Sequence, residues 1–236
     1  MGLKQRIWKS WLAAKFQLFE RRRYRHLVLE QVAGLPFVVL PEVFNPGLFP
    51  TGELLAKQYA VMIPKEAAVL DMGTGSGIGA VFAAQYARHV TALDINPEAV
   101  RCAQINALLN HVEDRITARQ SDLFEAVAGE QFDVILFNPP FFRGTPQDAE
   151  DHAWRGVNVI ERFAAELPRH LTIEGYALVI ISSSGDLPGF VRACEASQLK
   201  VKILAEHDMI SEKFVIYQLA PSMAAVSKSM MVEEVR

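Results

Sequence analysis

The sequence predicts an α/β fold: a doubly wound sheet of seven strands, mostly parallel, with a terminal antiparallel hairpin. Three observations predict it. Five short apolar segments between residues 67 and 182 alternate with segments typical of helices, as parallel strands joined by helical crossovers do. A glycine-rich loop lies between the first strand and the first helix of this series. Two further β-rich runs, 201–207 and 213–219, are joined by a link too short for a helix, so they form a hairpin.

Length and composition suit one large domain with an appendage. The chain has 236 residues, half of them hydrophobic, which is enough for a sizeable core. Charges interrupt every apolar group near the N-terminus, and no apolar run approaches the ~18 residues of a membrane span. Cys102 and Cys194 lack the spacing of a metal site or a redox motif. We therefore expect buried free thiols, no metal, and a cytoplasmic protein.

Residues 1–35 are predicted to form a basic aromatic helix. Residues 3–32 lack proline and glycine, and Trp8, Trp11 and Phe16 recur at roughly helical spacing. The first 26 residues carry eight Lys or Arg and one acid, whereas the remainder has a net charge of −10. Three interpretations stay open: the helix packs on the domain, binds RNA through its phosphates, or lies on an anionic membrane surface.

An entry segment, residues 36–66, follows the helix. It contains two short extended stretches and then a helix over 52–63, which Thr51 caps and Pro64 ends. This segment leads into the predicted sheet domain.

The domain itself spans residues 67–220, before a loosely ordered tail over 221–236. Its strands are apolar runs, as expected for strands buried on both faces. Pro97 occupies a favourable first-turn position of its helix. The predicted strands before the hairpin are 67–72, 90–95, 116–120, 132–137 and 176–182, and the helices are 78–87, 97–109, 124–128, 153–171 and 188–197.

The glycine-rich loop is a candidate ligand site, comprising Asp71, Gly73, Thr74, Gly75 and Gly77. Glycines let the backbone turn tightly and let a ligand approach with no Cβ between. The carboxylate ahead of the glycines suits the cationic amino group of a methionyl moiety. The dinucleotide pattern Gly-x-Gly-x-x-Gly can also be matched approximately here, so spacing alone leaves NAD and S-adenosylmethionine both open.

Polar residues follow the ends of the next strands, where ligands bind in open α/β sheets. Asp94 lies about 20 residues after the loop, where a carboxylate can accept both hydroxyls of a ribose. Asp122 can accept from an amine, and Leu123 can flank an aromatic ring. With Asn138 at the end of strand four, these residues suit an adenine nucleoside.

The segment Asn138, Pro139, Pro140 and Phe141 stands beside that site. The two prolines lack N–H donors, which leaves the Asn138 side-chain oxygen and the Pro139 carbonyl as a row of acceptors. Two acceptors can bind the hydrogens of a planar NH2 group and orient its weakly nucleophilic nitrogen toward a methyl donor. Phe141 would stack on the target plane. This chemistry requires no metal and no covalent nucleophile.

These motifs together resemble the class I S-adenosylmethionine-dependent methyltransferases, and within them the HemK/PrmC-like group with the methyltransferase small domain. The resemblance runs from about residue 43 to residue 219. It is carried by residues 69–77, 94–99, 121–124 and 138–141, and by the stretches 145–147 and 153–163.

The resemblance implies a Rossmann-like methyltransferase fold with S-adenosyl-L-methionine as cofactor, and methyl transfer to an amide nitrogen, in the family a glutamine of a translation release factor. It implies that Asn138 and the Pro139 carbonyl bind the target amine, with Pro140 and Phe141 completing the catalytic segment. The implied cofactor-binding residues are Asp71, Gly73, Thr74, Gly75, Gly77, Asp94, Ile95, Asp122, Leu123 and Asn138.

Two differences from the pattern of this group leave alternatives to a protein substrate. Phe141 stands where the group usually has tyrosine, and residues 138–144 are similar to ribosomal-RNA guanine-amine methyltransferases. An exocyclic amine of an rRNA or tRNA base is therefore the alternative acceptor. A non-catalytic cofactor-binding regulator, docked through its basic helix, is the alternative of another class.

Overall fold

The computed structural model describes residues 26–45, 58, 61–140, 142–143, 155–156, 158–183, 185–208 and 213–222. Most of the predicted basic helix, Phe141, the greater part of the loop after it, and nearly all of the predicted tail lie outside these residues.

Eleven strands and four α-helices are present in the described part of the chain. The strands are β1 (Val28–Val32), β2 (Leu35–Val39), β3 (Ala68–Met72), β4 (His89–Asp94), β5 (Ile116–Gln120), β6 (Phe132–Phe137), β7 (Phe142–Arg143), β8 (Arg155–Gly156), β9 (Leu171–Ser182), β10 (Leu199–Asp208) and β11 (Lys213–Pro221). The helices are α1 (Ile78–Ala83), α2 (Pro97–Leu109), α3 (Val159–Glu166) and α4 (Leu187–Ala196).

Seven strands form the central sheet, in the order β10-β11-β9-β6-β3-β4-β5. Neighbours from β5 across to β9 pair in parallel, and β11 pairs antiparallel with both β9 and β10. The predicted fold class is therefore confirmed. The chain order reverses between β3 and β6, and this is the point where open α/β sheets form a ligand crevice.

The core lies on both faces of the sheet. Within β3, Val69 packs into the cluster that includes α1, whereas Leu70 packs into the cluster on the opposite face that includes Phe163 of α3. The apolar runs of the sequence follow from this two-sided burial. Within the described ranges, each helix falls short of the length and hydrophobicity that a membrane span needs.

The predicted N-terminal helix is wrong over residues 28–32, which form strand β1. β1 and β2 form an antiparallel hairpin joined by Ala33 and Gly34, both at positive φ (46° and 88°). A two-residue turn of this kind matches the twist of the strands. The sequence indicates this hairpin by two valine-containing runs on either side of Ala33 and Gly34. The helical pattern of the preceding residues was extended over the first run, so the hairpin was not predicted. The hairpin also joins residues on both sides of the predicted boundary at residue 35.

Three other boundaries differ from the predictions. α1 ends at Ala83 rather than residue 87, because Tyr86 bonds to Ala83 with the tighter spacing of a turn. β9 continues through Gly175, where a turn was predicted, and an added Cβ there would lie 2.7 Å from the Phe132 carbonyl. The helix predicted over 153–171 begins only at Val159, since residues 155–156 pair with β7.

Candidate active site

The candidate site lies at the carboxyl ends of β3, β4 and β6, beside the loop that follows β5. The glycine loop rests on the end of β4, because the Thr74 N–H donates to the Leu93 carbonyl over 2.8 Å. The Ser121 N–H donates to the Asp94 carbonyl over the same distance. The structure therefore brings three predicted site segments to one edge of the sheet.

Asp94 is half-buried, and its carboxylate is oriented by backbone groups on two sides. Oδ2 accepts from the Gly75 N–H over 2.8 Å, and Oδ1 accepts from the Asn96 N–H over 2.9 Å. These two bonds fix the orientation of the carboxylate at the end of β4. Ile95, which follows directly, exposes 44% of its surface and so offers an apolar face next to this carboxylate.

The three predicted glycines of the loop have positive φ values, but they serve two different purposes. At Gly77 an added Cβ would lie 2.7 Å from Ala103 Cα, so this glycine is required for packing against α2. At Gly73 and Gly75 the nearest atoms to an added Cβ are 3.8 Å away, on Phe137 and Phe44. A ligand can therefore approach the loop backbone closely at Gly73 and Gly75.

Asp71 is 6% exposed, and its side chain lies beneath the start of α1. Its Oδ2 accepts from the Thr74 hydroxyl over 2.6 Å. Burial raises the pKa of this carboxyl to about 6, although hydrogen bonds from Thr74 and the Ala80 N–H partly lower it and the Asp94 charge raises it. In the structure, Asp71 stabilises the junction between the glycine loop and the helix.

Gly79 is a residue that the sequence analysis left out of the site. An added Cβ there would lie 2.6 Å from Asp71 Oδ1, so the buried carboxylate fits only because position 79 is glycine. The regular alternation of glycines from Gly73 to Gly79 was the signal that could have found it.

Asp122 has a charged partner that the sequence analysis did not identify. Its Oδ2 lies 3.0 Å from the Arg162 Nη2 on α3, and both side chains are partly exposed. Leu123 is buried with φ +50°, and its carbonyl accepts from the Ser121 hydroxyl over 2.7 Å. Because 40 positions separate Asp122 from Arg162, no local spacing could have indicated the pair.

Asn138 follows directly after Phe137, which pairs with Met72 in the register of β6 on β3. It therefore lies beside the start of the glycine loop. The Asn138 Oδ1 atom is buried and has no hydrogen-bond partner among the described residues. A buried acceptor without a donor costs about 1–3 kcal/mol, so such a group calls for an explanation, and a ligand donor supplies one.

The two prolines after Asn138 are buried (Pro139) and half-buried (Pro140). Phe141, the predicted stacking residue, lies outside the described residues. An aromatic cluster supports this segment from below: the ring centroids of Phe137 and Phe163 are 4.5 Å apart, and Phe124 stacks on Phe163 at 5.6 Å. These rings pack together the ends of β6, α3 and the loop after β5.

The two cysteines are free and buried. Burial raises the pKa of Cys102 to about 11 and that of Cys194 to about 12, so both are neutral thiols at physiological pH. Neither is an activated nucleophile.

Comparisons with known proteins agree with this geometry. Residues 34–217 match the family model described as the methyltransferase small domain. A relative from Methanocaldococcus jannaschii, provisionally named a protein N5-glutamine methyltransferase, is 32% identical over 195 residues, covering 79% of this chain and 95% of that protein. The release factor glutamine methyltransferase of Koribacter versatilis is 36% identical over 173 residues, covering 66% of this chain and 60% of that protein.

A solved structure shows the same fold. The T. thermophilus 16S rRNA N2 G1207 methyltransferase, in complex with AdoMet and guanosine, superposes with a TM-score of 0.63 at 21% identity, covering 84% of this chain and 50% of that chain.

Proposed function

This chain belongs to the methyltransferase small domain family and is a class I S-adenosylmethionine-dependent methyltransferase of the HemK/PrmC-like group; on that premise we propose that it methylates the side-chain amide of a protein glutamine. The relatives named for glutamine methylation support this acceptor. The match covers only 60% of the release factor enzyme, so the proposal names the glutamine amide as acceptor and leaves the substrate protein open.

The described residues fit the cofactor. Asp94 lies at the end of β4 with its carboxylate oriented by two backbone N–H groups, a position that suits binding of the ribose hydroxyls. The exposed face of Ile95 suits contact with the adenine. The resemblance assigns the adenine amino group to Asp122, whose Oδ2 pairs with Arg162. Gly73 and Gly75 allow the methionyl part to approach the loop backbone. When bound, the cofactor supplies a methyl group on a positively charged sulfur.

The observation that carries the proposal is the buried Asn138 Oδ1, which lacks a hydrogen-bond partner within the described part of the chain. A primary amide brings two N–H donors, and this buried oxygen is positioned to accept one of them. The Pro139 carbonyl is the second acceptor in the segment, and neither proline that follows Asn138 offers a competing backbone donor.

The residues would act by orientation. With its two hydrogens bound to the Asn138 oxygen and the Pro139 carbonyl, the amide nitrogen presents its lone pair to the methyl carbon. The cofactor, when bound, would supply the methyl group and take up the electron pair of the broken carbon–sulfur bond. The amide nitrogen, held by the two acceptors, would form the new bond to carbon and release one proton to water. As positive charge develops on the nitrogen, both acceptor bonds strengthen.

Replacing Asn138 by alanine tests this role. We expect methyl transfer to fall about 100-fold or more, because one acceptor of the transition state is lost, while the affinity for S-adenosylhomocysteine changes little. Asn110→Ala is the control: its amide binds the Pro36 and Asn106 carbonyls at the end of α2, away from the strand ends. Transfer by Asn138→Ala at the rate of the control would contradict the proposal.

A labelling experiment separates the acceptor classes. Purified enzyme and radiolabelled S-adenosylmethionine are incubated with cell lysate, which is then treated with protease or RNase. Label that protease removes, with methylglutamine found by mass spectrometry, supports the proposal. Label in RNA would assign the site to a base amine, and cofactor binding without any label would indicate a regulator.

We also place the protein in the cytoplasm, where reducing conditions suit its two free thiols. The basic residues of segment 1–25 support RNA or an anionic surface as a further contact.

A further inference from the structure

One face of α2 carries side chains that bind the backbone of β2. β1 and β2 form a two-stranded sheet, so within the described part of the chain one edge of β2 has no neighbouring strand. Asn106 occupies that edge at Val38: the Val38 N–H donates to Oδ1, and Nδ2 donates to the Val38 carbonyl, each over 2.7 Å. The amide thus makes the two hydrogen bonds that a third strand would make.

The same amide also contacts the glycine loop. Asn106 Nδ2 donates to the Ser76 carbonyl over 2.8 Å, and Asn106 is fully buried. Ser76 lies between Gly75 and Gly77. One buried side chain therefore joins the N-terminal hairpin to the loop on which the cofactor is proposed to lie.

Packing around Asn106 restricts movement of both the β1–β2 hairpin and the glycine loop. The absent Cβ of Gly77 lets the loop pack directly on Ala103 of α2, with 2.7 Å from the position of that Cβ to Ala103 Cα. Cys102, one turn before Asn106, donates its thiol to the Val38 carbonyl over 3.2 Å. Loss of the Asn106 amide would leave the Val38 N–H and the Ser76 carbonyl without these bonds.

We propose that Asn106 is a positioning residue that couples the β1–β2 hairpin to the cofactor-binding loop. This inference rests on the proposed function, because it requires that the cofactor lie on the glycine loop. Cofactor binding that orders the loop strengthens the bond to Ser76, and thereby the bonds to Val38. Since such coupling is reciprocal, the docked hairpin raises cofactor affinity in return.

The Val38 amide proton reports this coupling directly in the unmodified protein, because its acceptor is Asn106 Oδ1. We expect saturating S-adenosylhomocysteine to slow hydrogen exchange at Val38 by about 5-fold or more, within the usual range of coupling between sites. Protection of the loop amides at Gly75 and Gly77 with unchanged exchange at Val38 would overturn the coupling.

A pair of asparagine variants tests the residue. Asn106→Ala should weaken S-adenosylhomocysteine binding about 10-fold in calorimetry and abolish the ligand effect on Val38, because the hydrogen bonds that join Val38 to Ser76 through this amide are lost. Asn110→Ala is the matched control, since Asn110 also binds the hairpin, at the Pro36 carbonyl over 2.9 Å, but makes no bond to the glycine loop.

Equal affinities of Asn106→Ala, Asn110→Ala and the unmodified protein would overturn the inference. If Asn106→Ala does not fold, as judged by circular dichroism, the exchange measurement at Val38 in the unmodified protein decides the matter. Failure of the proposed function is distinguishable, because label in RNA or the absence of label would contradict glutamine methylation, whereas the coupling is decided by S-adenosylhomocysteine affinity and by exchange at Val38.

Discussion

Asp71 shows at the scale of one residue how this site combines stability with function. The carboxylate is buried beneath α1, where burial raises its pKa to about 6 from an ordinary value of 3.8. The folded state therefore binds its proton more tightly than the unfolded state does. The stability that this proton contributes is complete below about pH 4 and is lost as pH rises through about 6.

Asp71→Asn should isolate this effect. The amide resembles the protonated carboxyl and keeps an acceptor for the Ala80 N–H. We expect the variant to gain stability relative to the unmodified protein as pH rises from 4 to 7, by about 3 kcal/mol at most, the equivalent of a two-unit pKa shift. Urea unfolding of both proteins at several pH values measures the difference, and a difference independent of pH would contradict the assignment.

Asn138 is the second single residue to consider, and its proposed role is to bind the methyl acceptor. Its buried Oδ1 atom has no hydrogen-bond partner among the described residues, and we propose that a ligand amide supplies the donor. The aromatic rings of Phe137 and Phe163 pack beneath it and fix the strand end from which it projects.

At the scale of elements, the site depends on how closely the glycine loop packs on α2. Gly77 lies against Ala103, and Asn106 binds the Ser76 carbonyl one turn further along the helix. Moving the helix away from the loop would lengthen this bond and open a gap at Gly77. The loop geometry is thus a property of the contact between two elements.

Two glycine variants distinguish the effect of this packing contact from the effect of the positive φ angle. Gly77 and Gly129 have nearly the same positive φ, +80° and +81°, but nothing lies within 4 Å of an added Cβ at Gly129. Gly129→Ala should cost only the left-handed strain, about 1–2 kcal/mol. Gly77→Ala should cost about 1–3 kcal/mol more from overpacking and should weaken cofactor binding. Chemical denaturation and calorimetry measure both quantities, and equal losses in the two variants would contradict the packing role.

At the scale of the whole molecule, the hairpin β1–β2 changes where the functional unit begins. It docks on α2 through Asn106 and Asn110, and the Asn96 side chain donates to the Glu42 carbonyl over 3.0 Å. Residues 28–45 therefore pack with the domain that carries the site.

Two truncations test this boundary. Removal of residues 1–25 leaves the hairpin intact and should leave S-adenosylhomocysteine affinity unchanged. Removal of residues 1–33 deletes β1, exposes the edge of β2 that paired with β1, and should weaken binding and lower the melting temperature. Both variants can be compared by calorimetry and thermal unfolding. Identical affinities for the two truncations would show that the hairpin is dispensable for the site.

Much of the fold could be predicted because local signals coincide with it. Four central strands were predicted within a residue or two, three of them from apolar runs, and Pro97 marked the start of α2. The prediction was wrong where a helical pattern overlapped a strand, at β1 and at β8, since strand pairing there depends on partners that the local sequence does not specify.

The sequence by itself determined that a parallel sheet carries Asp94, the glycine loop and Asn138 at one edge, because strand ends align in any sheet of this kind. Only the tertiary structure decided that Asp71 lies beneath a helix, that Arg162 pairs with Asp122, and that Asn106 joins hairpin and loop. These contacts connect residues on different elements. Periodicity and spacing report what one element presents to its neighbours, whereas the identity of the neighbour is set by packing of the whole chain.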